Sequence, residues 1–130
     1  MVFTQAELDY LRSQRLGRLA TVAPDGRPQN NPVGFFVDPE TGVITIGGYR
    51  LGATKKFKNV RQGGTAVAFV VDDIASVDPW VVRGVEIRGT AEALTDVDPP
   101  RPTMSREIIR ITPRRIISWG LGGPFSARDV

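Results

Sequence analysis

Apolar positions near the start of the chain fall at helical spacing. Thr4-Gln5-Ala6-Glu7 is a capping box, with Thr4 as the cap and Glu7 reaching back to it, and Phe3 and Leu8 stand where a hydrophobic staple would. This predicts a helix to about Arg15 that buries Leu8 and Leu11 and covers an opening of the core. From Gly17 the period is that of strands. Arg18 to Val22 reads as a first strand, Ala23-Pro24-Asp25-Gly26-Arg27 as a tight reversal, and Pro28 towards Val37 as a second strand. Pro32 inside that second strand predicts an edge, a bulge or a break, because proline gives no ladder N–H. Asp38 to Gly42 turns the chain again into a third strand, Val43 to Gly47.

Further along, Thr65 to Val71 is a near-continuous apolar run, the pattern of a central strand buried on both faces and ended by Asp72-Asp73. Trp80 to Leu94 alternates, with Val85, Ile87, Ala91 and Ala93 on one face and Glu86, Arg88, Thr90 and Glu92 on the other. Gly84 and Gly89 are its bends. Thr95 to Ser105, carrying Pro99, Pro100 and Pro102, is a loop. Ile108–Thr112 and Ile116–Trp119 are two short strands or one strand bent at Pro113, and Gly120-Leu-Gly-Gly-Pro is a flexible tail that a partner would order. Six or seven strands, short reversals and one or two short helices lack any βαβ rhythm. The expected fold is therefore mainly β, a closed or half-closed antiparallel barrel forming one domain over residues 1–130.

Charge changes the picture at one place. Arg50, Lys55, Lys56, Lys58 and Arg61 are five of the seventeen basic residues, and no Asp or Glu lies among them; the other twelve face fourteen acidic residues. The excess positive charge thus sits in Gly47 to Arg61, where a strand runs into paired glycines and Thr54 can cap a short helix starting at Lys55. Two readings stand. One is a phosphate seat built from helix N–H groups and lysines; the other is a solvated basic helix face with Phe57 and Val60 packed beneath it.

The 130 residues contain no cysteine and no histidine, which removes disulfides, thiol nucleophiles, Cys/His metal sites and histidine bases. No apolar run approaches the length of a membrane span and the N-terminus lacks a signal-peptide core, so the expected location is cytoplasmic, with no membrane partner. Neither a Rossmann fingerprint nor a P-loop is present. Asp72-Asp73 and Glu86 with Glu92 are paired carboxylates that acid–base chemistry could use, though adjacent aspartates at a strand end are turn formers first. Trp80 and Trp119 could stack on a ring or fill the core. A small barrel with a cation cluster and no resident catalytic group points to a phosphorylated cofactor that brings its own reactivity.

Arg15-Leu-Gly-Arg-Leu-Ala-Thr-Val-Ala-Pro-Asp-Gly-Arg-Pro-Gln-Asn-Asn-Pro-Val-Gly-Phe resembles the first hairpin of the pyridoxamine 5′-phosphate oxidase-like split β-barrel flavoproteins. Thr54-Lys-Lys-Phe-Lys-Asn-Val-Arg resembles their phosphate-binding segment, and Val71-Asp-Asp and Ile108 to Trp119 their later blocks. Within the superfamily the likeness is greatest to the actinobacterial branch that uses the deazaflavin coenzyme F-420, ahead of the oxidases that use FMN. The resemblance implies a homodimer with cofactor sites at the subunit interface. By position it implies that Lys55, Lys56 and Asn59 hold the phosphate or acidic tail, with Arg50 and Thr54 as further cofactor-binding candidates. Asn31, Pro32, Val33, Ile46, Gly47 and Gly48 would line the ring or its linker, and Trp80 and Trp119 would lie at the pocket or interface. The substrate histidine of pyridoxamine phosphate oxidation has no counterpart here.

The activity so implied is hydride transfer from reduced coenzyme F-420 to a conjugated small-molecule acceptor, with Tyr49 as a candidate proton donor. FMN carries one phosphate, whereas coenzyme F-420 carries a phosphodiester and a string of glutamate carboxylates, and five cations suit the longer anion. The alternatives are an FMN-dependent oxidoreductase and a non-catalytic carrier of flavin or deazaflavin. A nucleic-acid-binding barrel ranks last, because the cations are not interleaved with aromatics.

Overall fold

The computed structural model describes residues 2–61 and 63–130. The first helix, α1 (Gln5–Ser13), is closed by the expected box: the Glu7 N–H donates to Thr4 Oγ1 at 3.1 Å and the Thr4 N–H to Glu7 Oε1 at 2.9 Å. Phe3, Leu8 and Leu11 are buried in the same core. Eight strands follow: β1 (Leu16–Val22), β2 (Pro28–Gly34), β3 (Phe36–Val37), β4 (Ile44–Ile46), β5 (Thr65–Ser76), β6 (Val81–Thr95), β7 (Glu107–Trp119) and β8 (Ser126–Asp129). Between β4 and β5 lie a single 3₁₀ turn, Leu51–Ala53, and the helix α2 (Lys55–Asn59).

The strands form one antiparallel sheet in the order β2-β1-β5-β6-β7-β4-β3, with β8 added on β7. β2 and β3 lie at opposite ends of that order, yet only Phe35 separates them in the chain. One residue spans only about 3.5 Å, so the sheet must curl until its two edges meet. That is the split β-barrel: closed by the covalent chain where the hydrogen-bonded ladder stops. Phe35 marks the join, its ring edge-on to Phe69 at 5.2 Å between centroids. Gly17 is required there, since a Cβ on it would collide with the Phe69 ring.

Pro32 stands in the edge strand β2, as its missing N–H demands. Three expectations need correction. First, β5 buries one face only: Val67, Phe69 and Val71 point inward, while Ala66 is exposed and Ala68 and Val70 are half-buried. Apolar alanines on the second face gave the run its continuous look. Second, Asp72-Asp73 does not end β5, which continues to Ser76, because each aspartate has an arginine partner. Arg18 reaches Asp72 at 2.5 Å, and Arg83 reaches Asp73 at 2.8 Å. Third, the glycine-rich tail is ordered within the chain itself. It turns through Gly120 and Gly122, both at positive φ, and returns as β8, whose Arg128 donates to both oxygens of the buried Glu7 at 2.9 and 2.7 Å. β7 is one strand, bent where the register slips between Arg88 and Gly89 opposite Pro113 and Arg115.

Candidate functional site

The site opens where β2 and β4 separate. The β3–β4 ladder pairs Phe36 with Thr45 and Val37 with Ile44; two steps further it would set Gly34 opposite Gly47. Instead β4 ends at Ile46 and the chain turns away, leaving a cavity of about 380 Å³. Pro32, Val33 and Gly34 form one wall, Gly47 to Leu51 the other, and Thr54 and Lys56 the end.

The second wall is pinned from the segment entering β7. Ser105 donates its N–H and its hydroxyl to the Gly48 carbonyl at 2.8 and 3.0 Å, and its Oγ accepts from the Leu51 N–H at 3.2 Å. Glu107 Oε1 accepts the Gly52 N–H at 3.0 Å. Thr54 caps α2, accepting from the Phe57 N–H at 3.4 Å while its hydroxyl donates to the Leu51 carbonyl at 2.6 Å.

Pro32, Val33, Gly47, Gly48, Tyr49, Arg50, Thr54 and Lys56 thus come together around one space. Lys55 and Asn59 face a second cavity of about 260 Å³, with Ala23, Asp25, Arg27, Pro28 and Gln29. Asn59 also ties α2 to the barrel, donating to the buried Thr21 Oγ1 at 3.0 Å. The two cavities share β2: Gln29 lines one and Val33 the other, about 13 Å apart at the rise of a strand. Asn31, half-buried and on the same face by strand alternation, sits midway between them. Ile46 is fully buried in the core beneath the site. Trp80 lies apart, 63% exposed in the turn before β6, and Trp119 occupies the space over Gly84.

Electrostatically the site is positive and uncompensated. Among the described residues, none of Arg50, Lys55, Lys56, Lys58 and Arg61 takes part in an ion pair, whereas eight other arginines do. Lys56 is half-buried, and burial pulls its pKa below the ordinary lysine range. The paired carboxylates lie elsewhere and are engaged: Asp72 and Asp73 as above, Glu86 with Arg88, and Glu92 with Arg110. No acid–base pair is left over in them. One polar atom is orphaned among the described residues, the buried Gln29 Oε1 beside the second cavity.

The sequence reading missed Gly34 and Leu51 as wall residues and Ser105 and Glu107 as pins. The last two lie more than fifty residues along the chain from the groups they hold, and no local pattern announces that.

Residues 3–120 match the family model described as Pyridoxamine 5′-phosphate oxidase. The chain belongs to that family. It is similar to the 5a,11a-dehydrotetracycline/5a,11a-dehydrooxytetracycline reductase of Streptomyces rimosus, at 51% identity over 135 residues, covering 100% of this chain and 94% of the relative. It is more distantly similar, at 26% identity over 124 residues, to the F-420H(2)-dependent biliverdin reductase of Mycobacterium tuberculosis, covering 85% of this chain and 83% of that protein. Among solved structures, a conserved hypothetical protein of Mycobacterium tuberculosis superposes with a TM-score of 0.70 at 25% identity, covering 100% of this chain and 94% of the other. The Group A Streptococcus HupZ protein superposes with a TM-score of 0.72 at 17% identity, covering 96% and 99%, a likeness of fold.

Proposed function

We propose that this member of the pyridoxamine 5′-phosphate oxidase family is a reductase that uses coenzyme F-420 to reduce a carbon–carbon double bond conjugated to a carbonyl in a ring-bearing small molecule. The observation that carries the reading is the half-buried, unpaired Lys56 beside Arg50 at the end of a cavity whose other walls are backbone and apolar side chains. A lysine held in that environment gains most when an anion arrives, because the anion replaces the hydration that burial removed. The residues present fit such a cofactor: the cations Arg50 and Lys56 for a phosphodiester, and an open gap between strand ends for a flat ring.

The longer anion is favoured over FMN by the second cavity. Lys55 and Asn59 face it, Lys55 without a carboxylate partner among the described residues, and so offer a further place for glutamyl carboxylates, while Arg27 there is paired with Asp25. The 51% identical relative is named for reduction of a dehydro compound and the more distant one for F-420H(2)-dependence, and both descriptions agree with this reading.

Bound there, the reduced cofactor would supply a hydride, and a proton completes addition across the double bond. The protein's part is to seat the anion on Lys56, Arg50 and Lys55, to hold the ring against the walls of Pro32–Val33 and Gly47–Gly48, and to exclude water from one face. Thr54 already donates its hydroxyl proton to the Leu51 carbonyl, which leaves Tyr49, exposed at the rim, as the cavity hydroxyl free to lend a proton. The family resemblance adds a homodimer whose second subunit completes each site, in a cytoplasmic enzyme.

The deciding experiment is titration of the purified protein with coenzyme F-420 and with FMN, followed by ligand fluorescence. Submicromolar binding of F-420 with weaker FMN is expected. The reverse order would replace this reading with an FMN-dependent oxidoreductase, and tight binding without turnover of any enone acceptor would make the protein a carrier.

A further inference from the structure

Glycine is costly in a strand and is kept where a positive φ or a close neighbour requires it. All but three of the fourteen glycines have one of those reasons: a left-handed backbone, or a protein atom that a Cβ would strike. The exceptions are Gly34, Gly48 and Gly123. A Cβ on Gly34 would meet nothing within 4 Å, and one on Gly48 would touch only Leu51, at an ordinary 3.7 Å. Both line the cavity between the ends of β2 and β4, one on each wall. Gly47, which the extended ladder would set opposite Gly34, is different, because its Cβ would strike Met104 and Pro100.

From this pair we infer that Gly34 and Gly48 set the width of a slot for the flat ring of the ligand, and so determine which ring systems enter. The inference rests on the proposed cofactor reading for the identity of the ring, though not for the existence of the slot. Neither residue is needed by the fold, so what their missing side chains protect is the space itself. A Cβ on Gly34 would stand in open space and one on Gly48 near Leu51 alone, so neither glycine is there to relieve a clash within the chain. A flat ring lying against bare backbone at both places keeps its full contact area, whereas a branched side chain at either would hold it away.

The test is Gly34→Val, with Gly34→Ala and Gly48→Ala beside it, measured for F-420 and FMN affinity and for Tm. Valine suits an extended strand, so Gly34→Val should leave Tm unchanged or slightly raised. Affinity for whichever ring-bearing cofactor the unmodified protein binds should fall by about tenfold or more, with the alanine variants intermediate. Gly34→Val and Gly48→Ala that bind as tightly as the unmodified protein would overturn the slot, even if F-420 is confirmed. Preference of the unmodified protein for FMN would overturn the cofactor reading while the same variants, titrated with FMN, still decide the slot. Should Gly34→Val fail to fold, its glycine is structural and the assignment of that wall is wrong; Gly48→Ala then tests the opposite wall alone.

Discussion

Lys56 is the residue whose environment says most. Burial lowers its pKa, so the folded chain releases the ammonium proton more readily than the unfolded chain does. The charge is therefore a cost to the empty protein at neutral pH, one that falls as pH rises through the lowered folded pKa towards the ordinary lysine value. Lys56→Met should leave the Tm of the ligand-free protein unchanged or raise it, and weaken cofactor binding by about 10- to 100-fold, the worth of a charge-assisted hydrogen bond. Thermal melts with and without F-420 check both halves, and a variant that lost stability without losing affinity would return the basic segment to a solvated helix face. Tyr49 makes a separate prediction. If it lends the proton, Tyr49→Phe lowers kcat severalfold and leaves F-420 affinity as it was; a fall in affinity with unchanged kcat would make it a rim contact instead.

Between elements, the joint that matters most is α1 to β8. Burial alone would raise the pKa of Glu7, but the paired hydrogen bonds from Arg128 and the N–H of Thr4 outweigh it and hold the carboxyl at about 2. Above pH 4.5, the ordinary value, the carboxylate is charged in folded and unfolded chains alike and the full stabilisation is present. As pH falls from there towards 2, the unfolded chain takes up a proton that the folded chain refuses, and roughly 3 kcal/mol is lost. Arg128→Met should cost about 3 kcal/mol at neutral pH, roughly 10 °C in Tm, and flatten that acid limb. Chemical denaturation from pH 7 to pH 3 reads both effects. The sequence announced only half of this joint. The capping box was plain at Thr4 and Glu7 because its partners are three residues apart, while Arg128 is 121 residues away in a strand hidden behind a glycine-rich turn. The same contrast runs through the site. Lys55, Lys56, Thr54 and the glycines at 47 and 48 were legible as a local run of charge and turn residues. Gly34 looked like an ordinary strand glycine, and Ser105 like a loop residue, because their roles arise only when the sheet curls.

In the molecule as a whole, the curl leaves the outer face of β1, β5 and β6 thinly covered. Ala20, Ala66 and Ala68 floor an apolar depression of about 450 Å³ there, with Val22 half-exposed beside it and Arg88 and Arg114 at its rim. Small side chains let a second backbone approach closely, and the two arginines supply a polar border, the anatomy of a protein interface. If a homodimer completes the sites, this face is suited to it, and Pro28 joins it to the second cavity, which it also lines. Ala68→Glu places a carboxylate in the middle of the depression, on a position whose side chain points away from the core formed by Val67 and Phe69. The variant should therefore stay folded, with a Tm close to that of the unmodified protein at low concentration. It should sediment as a monomer at concentrations where the unmodified protein sediments as a dimer, and its F-420 affinity should fall with dimer content. Equal affinity in a proven monomer would mean that each chain holds its cofactor alone. In that case Lys55, Lys56 and Arg50 would supply the whole anion site, and the apolar face would have some other purpose.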